Sequence, residues 1–268
     1  EFAKAAIRAA KKALAPERIA LSRLDYPGKS AVIEAVARGV VGVIAPWNYP
    51  LANFSKPLFP ALLAGNAVVL KPSEHTPRSG AWLAAVCGEV LPAGLVGLVQ
   101  GGGPAGEALI DAGVDAVTFT GSVPTGRKVA ARCGERLIPC SVELGGKDAA
   151  LVLADCDLDR TALGVAQWAM HNAGQNCAAI ERVYVEAPIY ERFVSGLVEQ
   201  AGRVNVAPVA TAAQDEIVVG TIARVAAAQD LGPAREVLDL ERPLELLQRG
   251  VRQVRERVDP FQELPVVL

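Results

Sequence analysis

The chain has 268 residues, 51% of them hydrophobic and 21% charged, with 27 basic against 29 acidic side chains and a net charge of −2. That much apolar surface offsets the ordering entropy of a core, which excludes a disordered chain, and the length suits one large domain or two modest ones. The near-neutral balance builds no positive field for nucleic acid or an anionic membrane, and no apolar run reaches the ~18 residues of a membrane span.

The opening stretch, EFAKAAIRAAKKALA, reads as an amphipathic helix. It lacks an initiator Met, and Glu1 with the absence of Ser argues against a transit peptide, so a segment of a longer protein is expected. Residues 30–44, rich in Val, Ile and Ala between Pro27-Gly28 and Pro46, predict one or two strands. A helix follows through Leu58 and Leu63 and stops at Gly65-Asn66. AVVLKPSE is a short apolar strand running into a polar loop. Residues 79–91, 104–112 and about 124–136 predict helices, and 95–99, 116–120 and 138–143 predict strands. Such alternation implies parallel strands with crossover helices, and two covered faces explain strands that are apolar without alternating. The fold class is α/β. Beyond Cys177 come a strand at 182–186 and a helix from about Ile189 to Arg203. Leu240, Leu244, Leu247, Val251, Val254 and Val258 then recur at spacings of 4, 3, 4, 3 and 4, the stripe of a surface helix beginning at Pro243.

Five cysteines without a C-x-x-C pair exclude a disulfide scaffold, and two histidines, His75 and His171, cannot complete a zinc cluster, so no metal is expected. Gly101, Gly103 and Gly106 spell G-x-G-x-x-G before a helix: either a pyrophosphate loop or a chance match, since no acidic residue ends the next strand. GSVPTG (121–126) is either a phosphate-binding turn, with Ser122 as donor, or an ordinary strand-to-helix turn. Lys71 and Glu74, directly after a strand, are either a solvated ion pair or a ribose-binding pair. A carboxylate there would repel a 2′-phosphate, which favours NAD over NADP. Cys87, Cys133, Cys140 and Cys156 lie in helical or apolar runs, as buried cysteines do, whereas Cys177 sits in a polar, Gly-rich turn ahead of an apolar strand.

GVIAPWNYP (42–50), VVLKPSEHTP (68–77), FTGSVPTGR (119–127), VELGGKD (142–148) and GQNCAAIERVYV (174–185) occur in this order. Together they resemble the aldehyde dehydrogenase superfamily, whose members oxidise aldehydes to carboxylic acids with NAD(P). The likeness is close from about Arg38 to Phe193, and Glu143 and Cys177, 34 residues apart, fit the family's arrangement. The resemblance implies a variant Rossmann-like sheet with flanking helices (1–145) and a partial second α/β catalytic domain (146–268), atypical from about residue 204. It makes Cys177 the nucleophile, Glu143 the general base and Asn48 an oxyanion donor, expected to converge beside a nicotinamide groove. It assigns Lys71 and Glu74 to the adenosine ribose and Gly121 with Ser122 to the pyrophosphate. Ile44, Pro46, Trp47, Gly103, Phe119, Thr120, Gly126, Leu144 and Gly145 would line the cofactor cleft. Trp168, Met170 and Asn176 would approach the aldehyde pocket.

Members carry longer segments before A-P-W-N-Y-P and after the catalytic Cys. Their carboxylate–x–Phe–Gly–Pro segment has only an echo in DPFQELPVV, where Asp259 stands in the ribose-binding place. The resemblance further implies a cytoplasmic homo-oligomer joined through a strand within 23–40. The competing readings are a truncated, inactive member of the family, a cofactor-independent cysteine hydrolase or thioesterase, and a purely structural dinucleotide-binding module.

Overall fold

Short runs of Val, Ile and Leu punctuated by Gly and Pro fold as strands, and the longer runs between them, rich in Ala and charged residues, fold as helices. The computed structural model describes residues 2–204 and the backbone of 238–239. The elements are α1 (Phe2–Ala13), β1 (Glu17–Ile19), β2 (Ala31–Ile33), β3 (Val40–Ile44), α2 (Pro50–Leu63), β4 (Ala67–Lys71) and α3 (Pro77–Val90). They continue with β5 (Val96–Leu98), α4 (Gly103–Asp111), β6 (Ala116–Gly121), α5 (Val123–Glu135), β7 (Cys140–Leu144) and β8 (Asp148–Val152). The last are α6 (Leu158–Met170), a 3-10 turn (His171–Gly174), β9 (Ile180–Val185), α7 (Tyr190–Gly202) and β10 (Leu238–Asp239). The chain divides into two compact units, the first ending at Gly145 and the second beginning at Gly146.

The first unit is built on a five-stranded parallel sheet in the order β5-β4-β3-β6-β7. Alternate residues of β3 serve opposite faces, as the pleat requires. Val41, Val43 and Ala45 pack with Phe54 and Leu58 of α2 and with Leu83 and Cys87 of α3. Ile44 packs on the other face with Leu109 and Ile110 of α4 and with Val129 and Cys133 of α5. Gly42 belongs to that second face, where a Cβ would stand 3.3 Å from Leu109, so glycine lets α4 approach the sheet. The α2 stop is a Schellman motif: Gly65 (φ 84°) donates to the Leu62 carbonyl and Asn66 to that of Ala61. The buried Asn66 side chain then accepts from the Arg38 and Gly39 N–H groups, fixing the entry to β3. Outside the sheet, β1 and β2 pair antiparallel as a separate arm.

In the second unit β9 pairs in parallel with β8 and antiparallel with β10. Val152, Val183 and Val185 bury against Val165 and Ala166 of α6 and Phe193 and Leu197 of α7.

Residues 30–44 thus form two strands, and four described strands or α-helices (β1, β8, α6 and β10) went unpredicted. α6 carries its own start signal, since Asp157 Oδ1 accepts from the Arg160 N–H at its cap. The apolar stripe of 240–258 and Asp259 lie outside the described residues. No helix among the described residues is long and apolar enough to cross a membrane.

Candidate active site

Chain order runs β3, β4, β5 outward on one side of the sheet, then returns to β6 and β7 on the other. The reversal lies between β3 and β6, and open α/β sheets bind ligands beyond the carboxyl ends of strands at such a point. Ile44, Pro46, Trp47 and Asn48 end or follow β3. Thr120, Gly121 and Ser122 end or follow β6, and Phe119 pairs in register with Ile44. Glu143, Leu144 and Gly145 end or follow β7, with Glu143 opposite Thr120 and Leu144 opposite Gly121. Lys71 ends β4, and Glu74 and Gly103 sit in the next two turns along that edge. Every catalytic or cofactor residue that the resemblance assigned within this unit therefore falls on one edge of the sheet or at the start of α4 or α5.

Their environments differ. Ile44 and Phe119 have core side chains, 8% and 4% exposed. Gly126 is a packing glycine, because a Cβ there would run into Leu144 and lie 3.4 Å from Phe119. Ser122 caps α5: its oxygen accepts from the Thr125 N–H, and its hydroxyl meets Thr125 Oγ1 at 3.0 Å. Asn48 Oδ1 accepts from the Tyr49 N–H at 3.1 Å and from Asn53 Nδ2 at 3.4 Å, which turns the amide's donor end the other way. Glu143 is exposed.

Lys71 is buried and its Nζ lies 3.7 Å from Glu74 Oε2. Burial lowers the Lys71 pKa against the partly compensating carboxylate. The Glu74 carboxyl is held below its ordinary value, first by its own backbone N–H and then by Lys71 and His75, while burial opposes the shift. Ser73 and Thr76, passed over in the sequence, are buried beside this pair. Ser73 Oγ bonds Glu74 Oε2 at 3.5 Å, and Thr76 Oγ1 has no hydrogen-bond partner among the described residues. Such buried polar groups have no periodic signature; only the polar loop after an apolar strand hints at them. A buried cation, a carboxylate acceptor and the starts of α4 and α5 along one edge supply what a dinucleotide's ribose and pyrophosphate need.

Cys177 belongs to the second unit, between the 3-10 turn and β9. Asn172, Ala173 and Gly174 are all left-handed (φ 53°, 58° and 75°), a conformation that costs Asn and Ala roughly 1–2 kcal/mol each. Hydrogen bonds between Asn172 and Gln175 hold that turn, and Asn176 Oδ1 accepts from the Ala178 N–H at 3.2 Å and lies 3.7 Å from Cys177 Sγ. Buried Ala179 anchors the far side. Of the five free cysteines, Cys177 alone is exposed. Burial raises the pKa of Cys87 and Cys140 and pushes Cys133 up to about 12, which keeps these three as thiols. Trp168 and Met170 line a groove of about 660 Å³ between α6 and α7, whereas Asn176 sits on the Cys177 turn itself. Among the described residues no group of three or more His, Cys, Asp or Glu side chains is placed to hold a metal ion.

A sequence model of the aldehyde dehydrogenase family matches residues 1–236. The chain belongs to the aldehyde dehydrogenase family. It is 45% identical over 185 residues to a 2-aminomuconic 6-semialdehyde dehydrogenase of Pseudomonas sp, a match covering 66% of this chain and 38% of that relative. Among solved structures, an NAD-dependent benzaldehyde dehydrogenase from Corynebacterium glutamicum superposes with a TM-score of 0.70 at 34% identity, over 78% of this chain and 46% of that one. The NAD+ complex of the Bacillus cereus aldehyde dehydrogenase gives 0.69 at 36% identity, over 74% and 40%. The chain thus spans less than half the length of these aldehyde dehydrogenases, and its parallel five-stranded sheet with flanking helices matches the family fold.

Proposed function

We propose that this chain carries the cofactor-binding sheet and the nucleophile of an NAD-dependent aldehyde dehydrogenase, which oxidises an aldehyde to a carboxylic acid. The observation that carries the reading is Cys177, the one exposed thiol of five, presented by a strained turn within the family's own motif. The Cys177 thiolate attacks the aldehyde carbon, and the carbonyl π electrons move to oxygen. The donor end of the Asn48 amide stabilises that oxyanion, a contribution of about 3–4 kcal/mol for one such donor. When bound, NAD+ would supply the hydride acceptor, and Cys177 would be the residue that holds the acyl group as a thioester. Glu143, exposed and therefore open to water, takes a proton from the water that attacks the thioester, releasing the acid and the thiol. Lys71 and Glu74 would hold the adenosine ribose, and Gly121 with Ser122, at the start of α5, would meet the pyrophosphate. An active thiolate suits a reducing cytoplasm.

The test is NADH absorbance with purified chain, NAD+ and short aliphatic and aromatic aldehydes. Cys177→Ala is expected to abolish oxidation and ester hydrolysis together, and Glu143→Gln to give one burst of NADH followed by a stall. Absence of NADH from the wild type, or either activity persisting in Cys177→Ala, removes the assignment.

A second reading concerns assembly. The β1–β2 arm exposes Leu24, Tyr26, Val32, Ile33 and Val36, so we read it as the surface through which copies of the chain associate.

A further inference from the structure

The Asn48 amide is oriented through its oxygen. The terminal torsion of an Asn is soft and roughly two-fold, so oxygen and nitrogen exchange places at little cost unless partners fix them. The atom facing the Tyr49 N–H at 3.1 Å must be the oxygen, because a backbone N–H can only donate. Asn53 Nδ2 donates to the same oxygen at 3.4 Å. Both donors belong to the start of α2. Tyr49 is its cap residue, and the Asn53 N–H closes the first turn on the Tyr49 carbonyl at 2.9 Å. The helix therefore sets where the Asn53 side chain begins. Asn is a poorer helix former than Leu or Ala, and the core beneath α2 is supplied by Phe54 and Leu58. Neither propensity nor the core calls for a half-buried carboxamide at 53; the contact with Asn48 does.

We propose that Asn53 is a positioning residue, whose side-chain N–H holds Asn48 Oδ1 so that the opposite, donor end of that amide stays directed at the oxyanion. This rests on the reading of Asn48 as the oxyanion donor. The bond is formed within the helix start, before any substrate arrives, so it preorganises the donor. Its effect belongs to the transition state, where the negative charge develops, and not to substrate binding.

The experiment uses the full chain and follows two reactions: hydrolysis of p-nitrophenyl acetate, which acylates Cys177 without nucleotide, and NAD+-dependent oxidation of benzaldehyde. Asn53→Leu removes the donor at similar volume and favours the helix. It is expected to lower kcat at least roughly tenfold in both reactions, with KM unchanged and Tm at or above wild type. Asn48→Ala is expected to lose about a hundred- to a thousandfold, and adding Asn53→Leu to it to cost nothing further, because Asn53 acts through Asn48. Asn53→Asp turns a second acceptor towards Oδ1, is expected to lose at least as much kcat at neutral pH, and carries the test if the leucine variant does not fold. Folded Asn53 variants that keep wild-type kcat while Asn48→Ala loses it, or that cost as much in the Asn48→Ala background as alone, overturn the role of Asn53 and leave Asn48 standing. An Asn48→Ala variant as active as wild type, or a wild type with neither activity, overturns the oxyanion reading, and the inference falls with it.

Discussion

Lys71 is only 5% exposed, beside a Glu74 side chain that is itself half in water, so desolvation outweighs pairing and its pKa is lowered. A lysine that binds fewer protons folded than unfolded makes stability rise with pH between its lowered folded pKa and its unfolded value near 10.5. Lys71→Met removes that penalty, and Glu74, left alone, is solvated by water. The expected outcome is a Tm equal to or above wild type, a flattened alkaline rise in stability, and NADH affinity reduced at least roughly tenfold. Thermal melts between pH 8 and 10.5 with a parallel NADH titration check it, and a large fall in Tm would mean that the ammonium stabilises the fold. At this scale the sequence is legible where chemistry is concentrated. Lys71 with Glu74, and Cys177 among polar neighbours, could be singled out from local context alone. Ser73, Thr76 and the orientation of the Asn48 amide could not, because their roles depend on partners brought by burial and by the turn into α2.

Gly80 in α3 sets two effects against each other. As a helical position it favours alanine by about 1 kcal/mol. A Cβ there, however, would lie 2.7 and 2.8 Å from ring carbons of Pro72, which is rigid and fully buried. Overpacking of this kind costs typically 1–3 kcal/mol, so packing wins and Gly80→Ala is expected to destabilise by about 0–2 kcal/mol net. Because Pro72 lies between Lys71 and Ser73, the displacement passes to both, and on the proposed function NADH binding is expected to weaken as well. Urea unfolding with the NADH titration measures both, and a stabilised variant would show that α3 shifts freely over Pro72. The elements themselves were legible where an apolar run was bounded by Gly or Pro, as in β3, β4 and β6. β8 (DAALV) is short and Ala-rich, so neither period stands out. β1 exists only through its pairing with β2, across an 11-residue connection whose Pro27-Gly28 turn lies too far from β1 to announce a two-residue hairpin.

For the molecule as a whole, alternating strands and helices announced a parallel sheet but not the reversal of strand order between β3 and β6. Strand order is a tertiary property: right-handed crossovers permit several orders, and the burial of both faces of β3 selects the one that puts it in the centre. The same argument leaves the β1–β2 arm unaccounted for by the sheet's own core. Val32, Ile33 and Val36 are 48%, 58% and 82% exposed, and Leu24 is 94% exposed. An antiparallel pair alone is marginal in water, and its free edges invite another strand. Covering such side chains is worth about 1.5–3 kcal/mol each when complete, so a copy of the chain laid over the arm gains several. Ile33→Glu with Val36→Glu would place two carboxylates in that contact and weaken self-association by at least roughly tenfold, about 1.4 kcal/mol. The core of the parallel sheet uses neither residue, so the Tm of the dissociated variant should match that of diluted wild type. Sedimentation velocity over a concentration series decides the matter: a variant that sediments like wild type at every concentration assigns association, if any, to another surface.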